Sequence, residues 1–142
     1  MIILDTNIVS ELMKTQPDEG VLSWFSELST QAIMITSITV AELRYGVAVL
    51  PNGKRRTRLD TLITEMIDED FESSILDFNR HAGEAYGLLA AELKNKGIGV
   101  GQNDVMIASI AVVNEATLAT RNEKDFEHCG INIINPFSRP MQ

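Results

Sequence analysis

The chain has 142 residues, 44% of them hydrophobic and 23% charged, with 20 Asp and Glu against 12 Lys and Arg for a formal net charge of −8. That length suits one compact unit, and the apolar fraction excludes an intrinsically disordered chain. The acidity argues against a domain that grips DNA through a basic surface, and no apolar run approaches the roughly 18 residues of a membrane span.

Ile2, Ile3 and Leu4 form a short apolar run stopped by Asp5, Thr6 and Asn7, which predicts a buried strand and then a helix capped by Asn7 and reaching about Met13. Pro17, Asp18 and Glu19 open a second helix, with proline and acids in its first turn and Val21, Leu22, Phe25 and Leu28 on its apolar face. Ala32 to Thr36 reads as a strand, Thr39 to Leu50 as a helix, and Pro51-Asn52-Gly53 as a stop. Lys54 to Ile67 is a helix with a basic start. Ser74 to Leu76 is a weak strand, and Asp77 caps a long helix to about Asn95. Phe78, Ala82, Tyr86, Leu89 and Leu93 recur at helical spacing on that helix. After a loop from Gly97 to Gly101, Asp104 to Asn114 is apolar nearly all round and so should be buried. Thr117 to Thr120 and Ile131 to Ile134 complete the strands. Strands alternating with helices predict an α/β fold around a mainly parallel sheet, whose ligands sit beyond the carboxyl ends of the strands.

Four acids fall where such a cleft should form. Asp5 follows the first strand, and Asp125 follows the Thr117–Thr120 strand by a few residues. Glu42 and Asp104 lie near helix starts. Each has an ordinary explanation. Asp5 and Asn7 suit a turn, Thr39-x-x-Glu42 matches a capping box, Asp104 suits a helix N-terminus, and Asp125 suits a surface loop. Jointly they need more. Two carboxylates ~5 Å apart repel by roughly 3 kcal/mol at an effective dielectric near 20. Oxygen-rich acidic clusters are neutralised by Mg²⁺ or Mn²⁺, which recruit substrate phosphates and activate water.

Four segments carry a resemblance to a known family: Ile3-Leu4-Asp5-Thr6-Asn7, Ser37 through Gly46, Asn103 through Ala108, and Leu118 through Phe126. In their order and spacing the chain resembles PIN-domain proteins, specifically the VapC-type toxin ribonucleases of bacterial toxin–antitoxin modules. The resemblance runs from end to end and implies a single PIN domain over residues 1–142, a three-layer α/β fold with helices flanking a mainly parallel sheet. It implies a Mg²⁺- or Mn²⁺-dependent endoribonuclease that cleaves RNA phosphodiester bonds with a metal-activated water, leaving 3′-hydroxyl and 5′-phosphate ends. Asp5, Glu42, Asp104 and Asp125 match the family's catalytic, metal-holding acids, with Thr6, Asn7, Thr120 and Asn122 as supporting polar groups. It also implies a homodimer silenced by a small cognate antitoxin, which inserts a C-terminal segment near the site and contacts operator DNA through its other end. One departure is Gly101-Gln102-Asn103 before Asp104, where many relatives carry a proline.

Other features are read more plainly. Lys54-Arg55-Arg56-Thr57-Arg58 is either an RNA-phosphate contact or a solvated helix start, and the latter is the simpler reading. Arg44 and Arg121 sit beside acidic positions, to contact phosphate or to balance carboxylates. The Gly97, Gly99 and Gly101 spacing fits neither phosphate-loop pattern. Trp24 and Phe25 read as core before partner anchor, and His81 and His128 lack ligand-like spacing. The lone Cys129 and the absence of a basic segment ahead of Asp5 fit a cytoplasmic protein. Two rivals stand beside the ribonuclease. A haloacid-dehalogenase-like phosphatase also places an Asp after its first strand but wants a second Asp where Asn7 stands. The other is a non-catalytic module that binds RNA or a partner.

Overall fold

A computed structural model of the chain describes residues 1–28 and 32–138. Strands β1 (Ile2–Leu4), β2 (Ile33–Thr36), β3 (Ile75–Leu76), β4 (Thr117–Ala119) and β5 (Ile133–Ile134) form one sheet in the order β3-β2-β1-β4-β5. Every pairing is parallel, with Ile2 opposite both Ile33 and Thr117, and Leu118 opposite Ile133. β1 is central, so it is covered on both faces and reads as an unbroken apolar run. Ile2 and Leu4 point into one core and Ile3 into the other.

The first core is closed by helices α1 (Thr6–Leu12), α2 (Glu19–Ser26), α3 (Ser37–Ala48) and α4 (Lys54–Glu65). The second is closed by α5 (Arg80–Asn95), α6 (Gln102–Val113) and the short α7 (Glu123–Phe126). The result is the α/β arrangement expected from the alternation, in the three layers that the resemblance implies. α6 buries six of its twelve residues, as its all-round apolarity requires. Trp24 is a core residue, only 3% exposed, while Leu22 is left 44% exposed by the way α2 turns its stripe inward. Phe78 and Tyr86 are partly buried and meet edge to face, 6.1 Å apart.

Several local readings need correction, mostly at helix ends. α1 is capped by Asp5, not Asn7, because the chain leaves the sheet directly after Leu4 and Asp5 is the last extended residue. α3 begins two residues earlier than expected and is capped by Thr36, whose Oγ1 accepts from the Thr39 N–H at 3.1 Å. Thr39 is therefore inside the helix, and Thr39-x-x-Glu42 is not a capping box. Asn79 rather than Asp77 caps α5, since the preceding segment is still extended and its Phe78 N–H donates to Ser37 Oγ on α3. α4 ends in one π-helical turn, Met66–Asp70, which buries Met66. Asp125 lies on α7 and not in a loop, because the fully buried Phe126 anchors that turn to the second core.

The chain runs outward from β1 to β2 and β3, then returns to the other side of β1 for β4. The reversal opens a crevice at the carboxyl ends of β1 and β4, the position at which open α/β sheets bind ligands.

Candidate active site

Asp5 occupies the floor of that crevice. It follows β1 and is 3% exposed, a costly place for a carboxylate unless it is hydrogen bonded. Both its oxygens are engaged. Oδ1 accepts from the Thr6 N–H at 2.8 Å, and Oδ2 accepts from the Thr120 hydroxyl at 2.8 Å and from Asn7 Nδ2 at 3.2 Å. Thr120, one residue past β4, is itself fully buried and also accepts from the Asn122 N–H at 3.0 Å. Asn7 completes the clasp by accepting from the Arg121 N–H at 3.1 Å. Burial raises the Asp5 pKa and the charge of Glu42 raises it further, against the lowering effect of these donors. The Asp5 carboxylate is thus fixed in orientation through both oxygens.

Glu42, on α3, reaches the crevice from the β2 side. Its Oε1 accepts from the Thr6 hydroxyl at 2.7 Å, and that hydroxyl lies 3.0 Å from the buried Thr39 hydroxyl. Asn103 Nδ2 approaches Glu42 Oε2 at 3.5 Å from α6. Asp104 is the third residue of α6, where the helix dipole favours an acid. Even so its pKa is raised to about 6, first by burial and then by the charges of Asp5, Asp125 and Glu42. Asp125 is partly buried on α7. Cys129 lies behind these last two acids, with its thiol raised by burial and then by their charges.

The structure thus brings all four predicted acids into one electrostatic neighbourhood. They do not close into a cage. Among the described residues, no three His, Cys, Asp or Glu side chains converge enough to enclose an ion unaided. Nor is any of the four in an ion pair there. Arg44 and Arg121, two candidates to balance them, are committed elsewhere. Arg44 pairs with Asp60 and donates to Thr64 Oγ1, each at 3.1 Å, while the Arg121 guanidinium stacks 4.4 Å above the Phe137 ring. With no ion-paired cation among the described residues and only oxygen donors, the four acids are of the kind a hard divalent cation uses when it keeps several waters and takes only one or two carboxylates directly.

Of the predicted supporting groups, Thr6, Asn7 and Thr120 act through their side chains and Asn122 through its backbone. Thr39 and Asn103 were not anticipated. Asn103 had a signal in its place beside Asp104, whereas the role of Thr39 depends on α3 starting at Ser37.

Residues 2–131 match the family model described as PIN domain. The chain is 39% identical over 137 residues to VapC ribonuclease Y4jK of Sinorhizobium fredii, covering 96% of this chain and 98% of that one. It is 35% identical over 137 residues to toxin FitB of Neisseria gonorrhoeae, covering 96% and 99%. Among solved structures, FitAB bound to the IR36 DNA fragment superposes with a TM-score of 0.90 at 33% identity, covering 99% of each chain.

Proposed function

The chain belongs to the PIN-domain family, and from that membership we propose that it is the ribonuclease toxin of a toxin–antitoxin module. One observation carries the reading: within a match covering 96% of the chain to a VapC ribonuclease, four carboxylates share one electrostatic neighbourhood at the sheet's switch point, with no ion-paired cation among the described residues. Asp5, Glu42, Asp104 and Asp125 are the proposed catalytic acids and would hold Mg²⁺ or Mn²⁺. Such an ion, when bound, supplies positive charge at the scissile phosphate and makes an attacking water more acidic.

The protein's own groups prepare the site. Thr120, Asn7 and the Thr6 N–H fix the Asp5 carboxylate, and the Thr6 hydroxyl fixes Glu42, so neither has to reorganise on binding. Asp104 carries a proton more readily than an ordinary aspartate and would have to give it up to hold a cation. RNA is the proposed substrate. A small cognate antitoxin is the proposed inhibitor and the link to operator DNA, with a homodimer as the working form in the cytoplasm. Among the described residues no helix is long and apolar enough to cross a membrane.

RNA cleavage by purified protein, with Mg²⁺ or Mn²⁺ and with EDTA, tests the activity. Cleavage should require the ion and fall at least about a hundredfold in Asp5→Asn and Asp104→Asn, the scale expected when charge-stabilising groups are removed. Undiminished cleavage in both variants would overturn the assignment.

A further inference from the structure

A groove of about 760 Å³ leads away from the acidic crevice between α1, α3 and α4. One end is lined by Thr6 and Glu42, which belong to the candidate active site, and the other by Lys54, Arg55 and Arg58 at the start of α4. Lys14 stands on the α1 side, and Leu43, Val47 and Leu50 line the floor. Four of the chain's twelve cations therefore face one groove, on a protein whose net charge is −8.

The positions of Lys54 and Arg55 are not explained by stability. Both occupy the first turn of α4, where the helix dipole is positive, and that turn carries no acid. Lys54, Arg55 and Arg58 are all exposed, and none is in an ion pair among the described residues. Lys14 is held at the rim by Glu11 at 2.8 Å, and Arg58 by Thr15 Oγ1 at 3.3 Å. Arg44 and Arg56 differ: Arg44 is paired with Asp60, and Arg56 donates to the Leu50 carbonyl and to Asn52 Oδ1.

We propose that this groove is the track along which the RNA strand leaves the cleavage site, with Lys54, Arg55 and Arg58 taking successive backbone phosphates and the apolar floor receiving bases. The proposal rests on the ribonuclease reading and adds to it the residues that hold substrate. The charge of the groove selects a polyanion, and its continuity with Glu42 and Thr6 selects the strand whose phosphate is being cut. A neutral apolar peptide would gain nothing from three unpaired cations. The arrangement also accounts for an acidic enzyme acting on RNA: attraction is confined to one channel, while the rest of the surface discourages indiscriminate binding.

The test measures binding apart from cleavage. Anisotropy of a labelled single-stranded RNA is followed in EDTA across a salt series, for wild type and for the triple variant Lys54→Gln, Arg55→Gln and Arg58→Gln. The triple variant should bind at least about tenfold more weakly at low salt. Its log–log salt slope should flatten by about 2, since each lost single-strand phosphate contact removes about 0.7. With the activating ion, KM should rise while kcat stays within about twofold of wild type. Gly46→Glu is a second variant that leaves every cation in place. Gly46 lies on α3 within the groove with nothing within 4 Å of an added Cβ, so the side chain fits and its carboxylate should weaken binding. Unchanged affinity and slope in both variants overturn the proposal. So does a triple variant that keeps RNA binding but loses the antitoxin, since the groove would then be a peptide dock. Failure of the ribonuclease reading is distinguishable, because RNA would then bind in EDTA yet survive when the ion is supplied.

Discussion

Asp104→Asn in the metal-free protein isolates the cost of crowding four carboxylates. The pKa of Asp104 is raised from 3.8 to about 6 by burial and then by the charges of Asp5, Asp125 and Glu42. Two pKa units correspond to about 3 kcal/mol at most. Asp104 is only partly buried, and solvent screening reduces that to about 1 kcal/mol. The folded state holds the proton more tightly than the unfolded chain does. Below the unfolded pKa both are protonated and the penalty is absent; as pH rises through 4 to 6 stability is lost, and above 6 the loss is complete. Asparagine keeps the shape and removes the charge. In EDTA near pH 7.5, Asp104→Asn should therefore be more stable than wild type by about 1 kcal/mol, about 2–4 °C in Tm for a chain of this size. The advantage should vanish below about pH 4. Urea denaturation of both proteins across that range measures it. Equal stability near pH 7.5, or an advantage that does not change with pH, would refute the reasoning.

The same excess charge predicts a response to cations. Mn²⁺ at about a hundredfold over its Kd should stabilise wild type by about 2.7 kcal/mol, and the thermal shift should disappear in Asp5→Asn; a full shift in that variant would place the ion elsewhere. Thr120→Val keeps the bulk of a fully buried side chain but removes the donor to Asp5 and the acceptor for the Asn122 N–H. It should cost about 1–3 kcal/mol in urea denaturation and lower RNA cleavage about 10–100-fold, while Thr120→Ser, which retains the hydroxyl, restores most of the activity.

Local rules made much of this protein legible in its sequence. Apolar runs ended by turn-forming residues located the strands, 3.6-residue stripes located the helices, and their alternation dictated a parallel sheet with a crevice at its carboxyl edge. Asp5 was legible as the residue ending an apolar strand at the sheet's carboxyl edge, but that this strand is central was decided by the fold. The four segments in family order named the remaining acids, and the PIN-domain match agrees with the family read from them.

Contacts between distant segments had no such signal. Glu42 meets Thr6 across 36 residues and Thr120 meets Asp5 across 115; the resemblance named both hydroxyls as supporting groups, but only the fold decides which acid each one holds. The helix caps moved by two residues or so because the exact point at which a chain leaves the sheet depends on its neighbours in that sheet. Charge was the least readable. Arg44 and Arg121 flank acids in sequence, yet packing sends one to Asp60 and stacks the other on Phe137. The basic run at 54–58 looked like an ordinary solvated helix start until the fold set Lys54, Arg55 and Arg58 along a groove that begins at the acids. Composition gave the net charge of −8, but a sum carries no direction. Only the tertiary structure separates that charge into an acidic pocket and a basic channel, because electrostatic energy depends on distances between side chains that the chain order does not set.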